Sequence, residues 1–409
     1  MMRPQLDVGL LFATRITRLF AYGFLSVILA LYLVQVGLSE TEVGLLFSLT
    51  LAGDAAITLW LTTVADRIGR RNMLFIGAVL MVLAGVAFLA TDNFILLVIA
   101  AIIGVISPSG NEIGPFLSIE QAALSHLLPD EHRTHVFAWY NLVGSFATAA
   151  GSLAGGWLPQ LLQANDMSVP VSYRVVLAGY AAGGVILAVM FRFLSPAVEV
   201  TPGDAVVKKT LGLHKSKGIV LKLSGLFALD AFGGGFVIQS IMAYWFFVKF
   251  GVDDKTLGNI FFGANILAGI SALLAARIAA KFGLINTMVF THIPSNILLI
   301  MVPFMPNLPP AIGLLWIRYS ISQMDVPTRQ SYVMAVVAPD ERSAASGVTA
   351  IARSIGAAVS PVLSGLCLAV PGLVSAPFFI AGGLKIGYDL LLYRSFQAHK
   401  PPEERKTAP

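Results

Sequence analysis

The chain has 409 residues, of which 56% are hydrophobic and 12% are charged, and its formal net charge is +5. Soluble proteins carry about 25% charged residues, so this composition indicates a membrane protein and excludes a soluble enzyme. The positive charge predicts no nucleic-acid partner, because no basic patch with interleaved aromatic residues accompanies it.

Twelve hydrophobic windows are long enough to cross about 30 Å of hydrocarbon. None shows the period-2 alternation of barrel strands, so the sequence predicts an all-α membrane protein with twelve transmembrane helices. The windows cover residues 9–36, 43–65, 73–91, 94–127, 134–162, 173–193, 221–248, 256–278, 286–305, 309–337, 343–370 and 375–396.

The loop signatures of the first half recur in the second half. Gly44 and Gly69 return as Gly258 and Gly283, both at an offset of 214 residues. Two similar bundles of membrane helices are typical of carriers, whose halves rock about a site at their interface. The repeat predicts two pseudo-symmetric six-helix bundles, 1–194 and 221–396, joined by a cytoplasmic linker over 195–220 and followed by a tail over 397–409.

The distribution of Lys and Arg predicts the orientation of the chain. These residues are concentrated in the segments on the side of both termini, and the positive-inside rule therefore places both termini in the cytoplasm. We expect a monomeric, multi-pass protein of a bacterial inner membrane.

A short basic motif lies between the second and third predicted helices. The sequence Asp66-Arg-Ile-Gly-Arg-Arg71 resembles the signature loop of the major facilitator superfamily, with Thr62 where the fuller motif has its first Gly. The resemblance extends over the whole chain and implies the twelve-helix fold of that family. It also implies a cytoplasmic latch, with Asp66 near the helix N-terminus around Ser343 and Ala344; its members are Asp66, Arg67, Gly69, Arg70 and Arg71.

Small residues on the fifth predicted helix have two interpretations. Gly144 and the run from Gly151 to Gly156 resemble a weakened form of the family's antiporter signature, in which Ser152 replaces a Pro. Small residues at this spacing also allow any two membrane helices to approach closely. The run therefore favours an exporter only modestly.

Charged residues inside the spans are the candidates for the transport site. An ionised side chain at the bilayer centre costs about 2.5 to 3.5 kcal/mol or more, so each needs a partner, a proton or a water-filled cavity. Burial favours the neutral carboxyl, which makes Asp54, Glu112 and Asp230 the candidates for proton coupling. In the family, helices one, four, seven and ten line the cavity, which makes Arg18, Tyr22, Asn111, Glu112, Asp230, Asp325 and Arg329 substrate candidates. Arg353, a charge near the midplane of the eleventh predicted helix, is a further substrate candidate.

Several pairings are expected among these charges. Prolines and glycines around Glu112 predict a broken fourth helix. Glu120 and Arg329 occupy comparable places in the two halves, so we expect them to form an ion pair that belongs to the latch; separate local partners are the alternative. Lys385 and Asp389 are spaced i, i+4 and are predicted to neutralise each other.

These features favour a secondary transporter of a small organic solute, coupled to protons or sodium. Export of an amphipathic compound is favoured, whereas unpaired Arg18 and Arg329 would favour uptake of an organic anion. A receptor, regulator or lipid scramblase with the same fold is the alternative from another class. The single Cys367, the scattered histidines and the absence of nucleotide-binding motifs predict no metal, no cofactor and no enzymatic activity.

Overall fold

The structure is a computed structural model that describes residues 2–112, 114–199, 213–338 and 341–397; the side chains of 2–4, 62–67, 130–132, 134 and 343 are also outside the description. The described residues form sixteen α-helices and no strand, which confirms the all-α class. Within these ranges, eight apolar helices are long enough to cross a membrane, and Phe94–Ile103 is a shorter apolar helix.

Four of the twelve predicted windows contain two helices each. These are the first, fourth, seventh and tenth windows, which hold the pairs α1/α2, α5/α6, α9/α10 and α13/α14. The sixteen helices are α1 Met2–Ser26, α2 Leu29–Gln35, α3 Glu40–Ile68, α4 Arg70–Ala90, α5 Phe94–Ile103, α6 Phe116–Leu127, α7 Asp130–Gln163, α8 Val169–Arg192, α9 Lys217–Gly235, α10 Gln239–Phe250, α11 Asp254–Phe282, α12 Leu284–Met301, α13 Leu308–Ser322, α14 Asp325–Val336, α15 Arg342–Leu368 and α16 Ala376–Phe396.

The widest interruption separates α5 from α6 and follows from the residues there. Pro108 and Pro115 lack the backbone N–H that a continuing helix requires, and Gly110 and Gly114 adopt φ of +68° and +79°. The predicted break of the fourth span is thus confirmed. It brings the side chain of Glu112 to Arg15 and Arg18 of α1.

The chain divides into two compact units. Unit 1 comprises Met1–Val207 and Ile238–Asn265, and unit 2 comprises Lys208–Val237 and Ile266–Pro409. The predicted division differs in one segment, because Ile238–Asn265 was expected with the second bundle. Most of the predicted linker and tail, namely 200–212 and 398–409, lies outside the described residues.

Polar side chains explain why Ile238–Asn265 belongs to unit 1. The Gln239 amide donates to the hydroxyls of Ser26 and Ser152 over 2.8 and 3.1 Å. The Ser240 hydroxyl donates to the carbonyl of Ser26 over 2.7 Å, and the Tyr173 hydroxyl donates to Asp254 over 2.8 Å. These bonds satisfy polar groups that would otherwise be buried without partners.

Within unit 1, α1 and α7 pack with their backbones in contact. A Cβ added at Gly151 or Gly155 would lie 2.0 Å from the carbonyl oxygen of Phe20 or Phe24, respectively. Close approach therefore accounts for the small residues of the fifth span without reference to antiport.

Within unit 2, α9 and α15 make the equivalent approach. A Cβ at Gly356 would lie 2.2 Å from the carbonyl oxygen of Ala228, and one at Gly235 would lie 2.1 Å from the Ser360 hydroxyl. A buried apolar core that includes Leu223, Phe227 and Tyr388 continues this contact. The sequence repeat is thus also a repeat of helix packing.

Gly155→Ala is expected to destabilise the protein, because the new methyl group meets backbone rather than a movable side chain. Overpacking of this kind costs about 1 to 3 kcal/mol, which outweighs the better helix propensity of Ala. Gly383→Ala is the control, since a Cβ there has no neighbour within 4 Å. Thermal unfolding in detergent should show a lower Tm for Gly155→Ala alone, and equal Tm values for the two variants would contradict the packing argument.

A carboxylate that precedes α15 caps the start of α9. Glu341 accepts hydrogen bonds from the backbone N–H groups of His214, Lys215 and Ser216, the last two over 2.7 and 2.9 Å. Bonds from the Ser216 hydroxyl and from these N–H groups lower the pKa of Glu341 from an ordinary 4.5 to about 2. The ionised carboxylate is therefore the form that joins the two helix starts.

Because the folded-state pKa of Glu341 is depressed, its contribution to stability is complete above the ordinary pKa and is lost as the pH falls towards 2. We expect Glu341→Gln to lower the Tm at neutral pH. The difference from wild type should stay constant down to about pH 5 and shrink below it. A difference that grows on acidification would show that the carboxylate does not act in its ionised form.

Candidate functional site

Each unit buries a cluster of charged side chains inside its helices. The first ion cluster consists of Arg15, Arg18, Glu112 and Glu120 in unit 1. The second ion cluster, in unit 2, consists of Asp230, Asp325, Arg329, Arg353 and Lys385. These two clusters contain most of the charged candidates derived from the sequence.

The centre of the first ion cluster is a two-pronged pair between Arg18 of α1 and Glu120 of α6. The Arg18 guanidinium donates to both Glu120 oxygens over 2.9 and 2.7 Å, and neither side chain is exposed. Thr14 donates to the same carboxylate over 2.9 Å, and the Tyr140 hydroxyl donates to it as well. Glu120 is therefore fully satisfied, as a buried ion must be.

Glu112 extends the first ion cluster towards the break between α5 and α6. Its oxygens accept from Arg18 Nε over 2.7 Å and from Arg15 over 2.8 Å, and 13% of its side chain is exposed. The Arg15 guanidinium also lies 4.2 Å from the centre of the Tyr140 ring. Two cations thus balance two carboxylates, and only Glu112 has appreciable access to solvent.

Asp54 of α3 is satisfied without a cation. One of its oxygens accepts from the backbone N–H of Gly114 over 2.6 Å and from the Thr58 hydroxyl over 3.3 Å. Among the ion pairs of the described side chains none involves Asp54. Its N–H partner belongs to the break in the fourth span, so Asp54 holds that segment through neutral donors.

Two polar candidates occupy contrasting places in unit 1. Tyr22 lies one turn beyond Arg18 on α1 and is completely buried, and its hydroxyl has no hydrogen-bond partner among the described residues. Asn111 has an exposed side chain, and its backbone carbonyl accepts from Ser107 over 2.8 Å. Asn111 is thus the accessible candidate of the helix break, whereas Tyr22 is enclosed.

Asp230 of α9 is the centre of the second ion cluster. Its carboxylate lies 2.6 Å from Lys385 Nζ, 2.9 Å from Arg353 and 3.2 Å from Arg329. Arg329 also pairs with Asp325 over 2.7 Å, one helical turn away on α14. Only the side chain of Arg353, about a third exposed, has substantial contact with solvent.

Two predicted pairings are wrong in this structure. Glu120 pairs with Arg18, and Arg329 pairs with Asp230 and Asp325, so each has partners within its own unit. Glu120 therefore belongs to the first ion cluster rather than to the latch. The predicted pair of Lys385 with Asp389, four residues later on α16, is also absent. Lys385 contacts Asp230 instead, and Asp389 forms a hydrogen bond with His292.

Three residues that contact the ion clusters or lie beside them were not among the predicted site residues. Arg15 precedes Arg18 by three residues and therefore shares its helix face, a signal that the sequence did contain. His292 and Asp389 form a hydrogen bond of 2.8 Å between α12 and α16. Nothing in the sequence joins these two residues, which are 97 positions apart.

Glu199, which follows the sixth span, forms hydrogen bonds with the latch residues Arg70 and Arg71. Glu199 accepts from the backbone N–H of Arg70 and Arg71 over 2.6 and 3.2 Å at the start of α4. Gly69 has φ of +102°, and a Cβ there would lie 3.2 Å from the Glu199 carboxylate. The predicted contacts of Asp66 and Arg67 concern side chains outside the described set.

Replacement of Glu120 by Gln is expected to be more damaging than Glu112→Gln. Loss of one partner from a fully buried pair costs about 3 to 5 kcal/mol, since it leaves Arg18 short of charge compensation. Water can compensate in part at Glu112, which is accessible. Tm and the monodisperse fraction in detergent provide the measurement, and an equal or larger loss in Glu112→Gln would contradict this ranking.

Comparisons with known proteins agree with this architecture. The Major Facilitator Superfamily profile matches residues 11–322 and 231–409. The uncharacterized membrane protein YJR124C of Saccharomyces cerevisiae is 31% identical over 417 residues, which cover 94% of this chain and 93% of the yeast protein. The multidrug efflux protein YfmO of Bacillus subtilis is 24% identical over 88% of this chain and 85% of its own length.

A solved structure shows the same fold. A bacterial homolog of the human lysosomal transporter Spinster, in an inward-facing and unoccupied conformation, has a TM-score of 0.72 at 16% identity. The match covers 98% of this chain and 99% of that chain. The twelve-helix architecture is thereby confirmed, and this integral multi-pass membrane protein belongs to the Major Facilitator Superfamily.

Proposed function

We propose that the protein is a secondary active transporter that exports a small amphipathic organic solute by alternating access, in exchange for protons. The observation on which this proposal rests is the environment of Asp54. This carboxyl lies inside a span, and its hydrogen-bond partners, Gly114 and Thr58, are both neutral. The efflux function printed for YfmO, a relative over most of its length, supports the direction of transport.

Asp54 fits a proton carrier better than the other two candidates. Protonation of Glu112 or Asp230 would remove charge from ion pairs with two and three cations, respectively. Protonation of Asp54 breaks no ion pair and perturbs only the bonds to Gly114 and Thr58. Because Gly114 is part of the break in the fourth span, a proton at Asp54 acts directly on that segment.

The ion pairs also bear on the substrate. Arg18 and Arg329, the two arginines that would favour an organic anion if they were unpaired, each contact two carboxylates. The reason for preferring uptake of an anion is therefore weakened. Asn111, the accessible candidate at the break in the fourth span, offers a neutral hydrogen-bonding group, which suits an amphipathic solute.

Flux into proteoliposomes tests the proposal. The probes are ethidium, a permanent lipophilic cation, and benzoate, an organic anion, with an acidic lumen and an alkaline medium. We expect ethidium to accumulate as protons leave, and protein-free liposomes provide the blank. No flux of either probe under a proton or a sodium gradient would contradict transport, and flux of benzoate alone would contradict the amphipathic-export proposal.

Asp54→Asn is expected to uncouple transport from protons. Because Asn cannot take up a proton, accumulation driven by the pH gradient should fall by about tenfold or more. A change of this size corresponds to an ordinary coupling free energy between two binding sites. Exchange of ethidium between two loaded compartments without a gradient should persist, since Asn preserves the acceptor for Gly114.

Asp92→Asn is the matched control, because Asp92 forms an exposed pair with Arg174 over 3.0 Å. This variant should retain proton-driven accumulation. A wild-type response in Asp54→Asn would rule out Asp54 as the coupling residue, and drive by sodium alone would rule out proton coupling.

A further inference from the structure

A groove runs along the exposed face of unit 1 between α4 and α8. It encloses about 280 Å³, and every residue that lines it is apolar except Arg192. The lining residues recur three or four positions apart, so that each helix contributes one stripe to the groove. The stripes include Phe75, Val79 and Val82 on α4, and Val185, Ala188 and Arg192 on α8.

The groove lies beside a line of close contact between the two helices. A Cβ added at Gly184 of α8 would lie 3.1 Å from the backbone nitrogen of Val82 on α4. The rim residues Leu83, Val185 and Val189 are 58%, 50% and 52% exposed. The groove is therefore open along its side, and in a membrane protein the medium to which such a face opens is lipid.

The dimensions of the groove suit an acyl chain. From Val185 to Arg192 the stripe on α8 extends over about 10 Å, at 1.5 Å per residue. This length remains within one leaflet of a hydrocarbon core that is about 30 Å thick. A transmembrane helix of a partner is itself about 10 Å across and spans both leaflets, so it does not fit inside the groove.

Arg192 lies at one end of the groove, in the last turn of α8. Its side chain is exposed, and its guanidinium lies 5.7 Å from the centre of the Phe75 ring. Among the described side chains it forms no ion pair. The contact with Phe75 keeps the cation at the mouth of the groove. An apolar groove that ends in a cation without a carboxylate partner matches an anionic amphiphile.

A second arginine lies near the same end. The Arg71 guanidinium donates to the carbonyl of Leu194, two residues after Arg192, over 3.0 Å. The carboxylate of Glu199 accepts from the backbone N–H groups at the start of α4 and forms no ion pair with either arginine among the described contacts. Arg71 therefore adds to the positive potential that Arg192 presents to the headgroup region.

We propose that this groove binds one anionic phospholipid, with an acyl chain along the two apolar stripes and the phosphate on Arg192. The groove alone does not select a lipid, because the tails of the bilayer are as apolar as its walls. Selection comes from the headgroup, since a basic pocket between transmembrane helices attracts anionic lipid. The positive-inside prediction makes this the cytoplasmic leaflet.

The bound lipid connects α4 to α8, because its chain contacts the stripes of both helices. A ligand that binds only the folded protein stabilises it by mass action, so the anionic lipid also raises the Tm in detergent. The site lies outside the residues assigned to transport, and its existence does not depend on the proposed function.

Native mass spectrometry of the delipidated full chain measures the selectivity. Dioleoylphosphatidylglycerol and dioleoylphosphatidylcholine share their acyl chains, but only the first has a net negative charge. We expect the first adduct of the anionic lipid to form about fivefold more tightly or better, the factor that one arginine near a membrane surface contributes. Equal affinities for the two lipids would overturn the proposal.

Arg192→Gln should reduce the affinity for the anionic lipid by about fivefold and leave that for the neutral lipid unchanged. Arg394→Gln is the matched control, because Arg394 is likewise exposed in the last turn of its helix but is not among the residues that line the groove. An undiminished preference in Arg192→Gln, or an equal loss in Arg394→Gln, would refute the assignment of the phosphate to Arg192.

Ala188→Trp tests the groove itself, because the indole occupies the space of the acyl chain. We expect this variant to lose the first anionic adduct and the rise in Tm that the lipid produces. Ala182→Trp is the control, since Ala182 is exposed on the same helix but is not among the lining residues. Retention of the adduct in Ala188→Trp would contradict the proposed site. A wild-type dimer that Ala188→Trp abolishes would identify a second copy of the chain as the occupant and would also overturn the lipid proposal.

Discussion

Charges inside hydrocarbon must be neutralised, and the interior of each unit is organised by this requirement. Arg18 and Glu120 neutralise each other without any exposure, and three cations surround Asp230. A buried pair of this kind adds little stability compared with apolar packing but is expensive to break. The helices that supply these groups are therefore fixed relative to one another within their unit, and only groups with neutral partners are free to change charge.

The interrupted spans and the glycine contacts serve this same arrangement. The break between α5 and α6 supplies a backbone N–H to Asp54 and brings Glu112 to Arg18. Glycines at Gly151 and Gly155 let α7 approach α1, and Tyr140 of α7 thereby reaches Glu120. Local sequence thus determines the distances at which the buried charges meet.

Much of the fold and part of the site could be predicted from the sequence. Hydrophobic windows and the repeat predicted the helices, and the cost of buried charge identified Arg18, Glu112, Asp54 and Asp230. Partners were harder to predict, because a pairing depends on which faces of distant helices meet. Lys385 shows this limit: its i+4 neighbour was the obvious partner by local spacing, yet tertiary packing gives it Asp230. The contact between His292 and Asp389 depends on the packing of α12 against α16, which no local pattern encodes.

The assignment of Ile238–Asn265 to unit 1 has a consequence for how the protein can be assembled. A chain divided in the linker would yield a first fragment without the residues that bond Ser26 and Ser152. The second fragment would carry Gln239 and Ser240 without their acceptors. Exchange of halves between relatives would therefore have to preserve Gln239 and Ser240 together with their acceptors at Ser26 and Ser152.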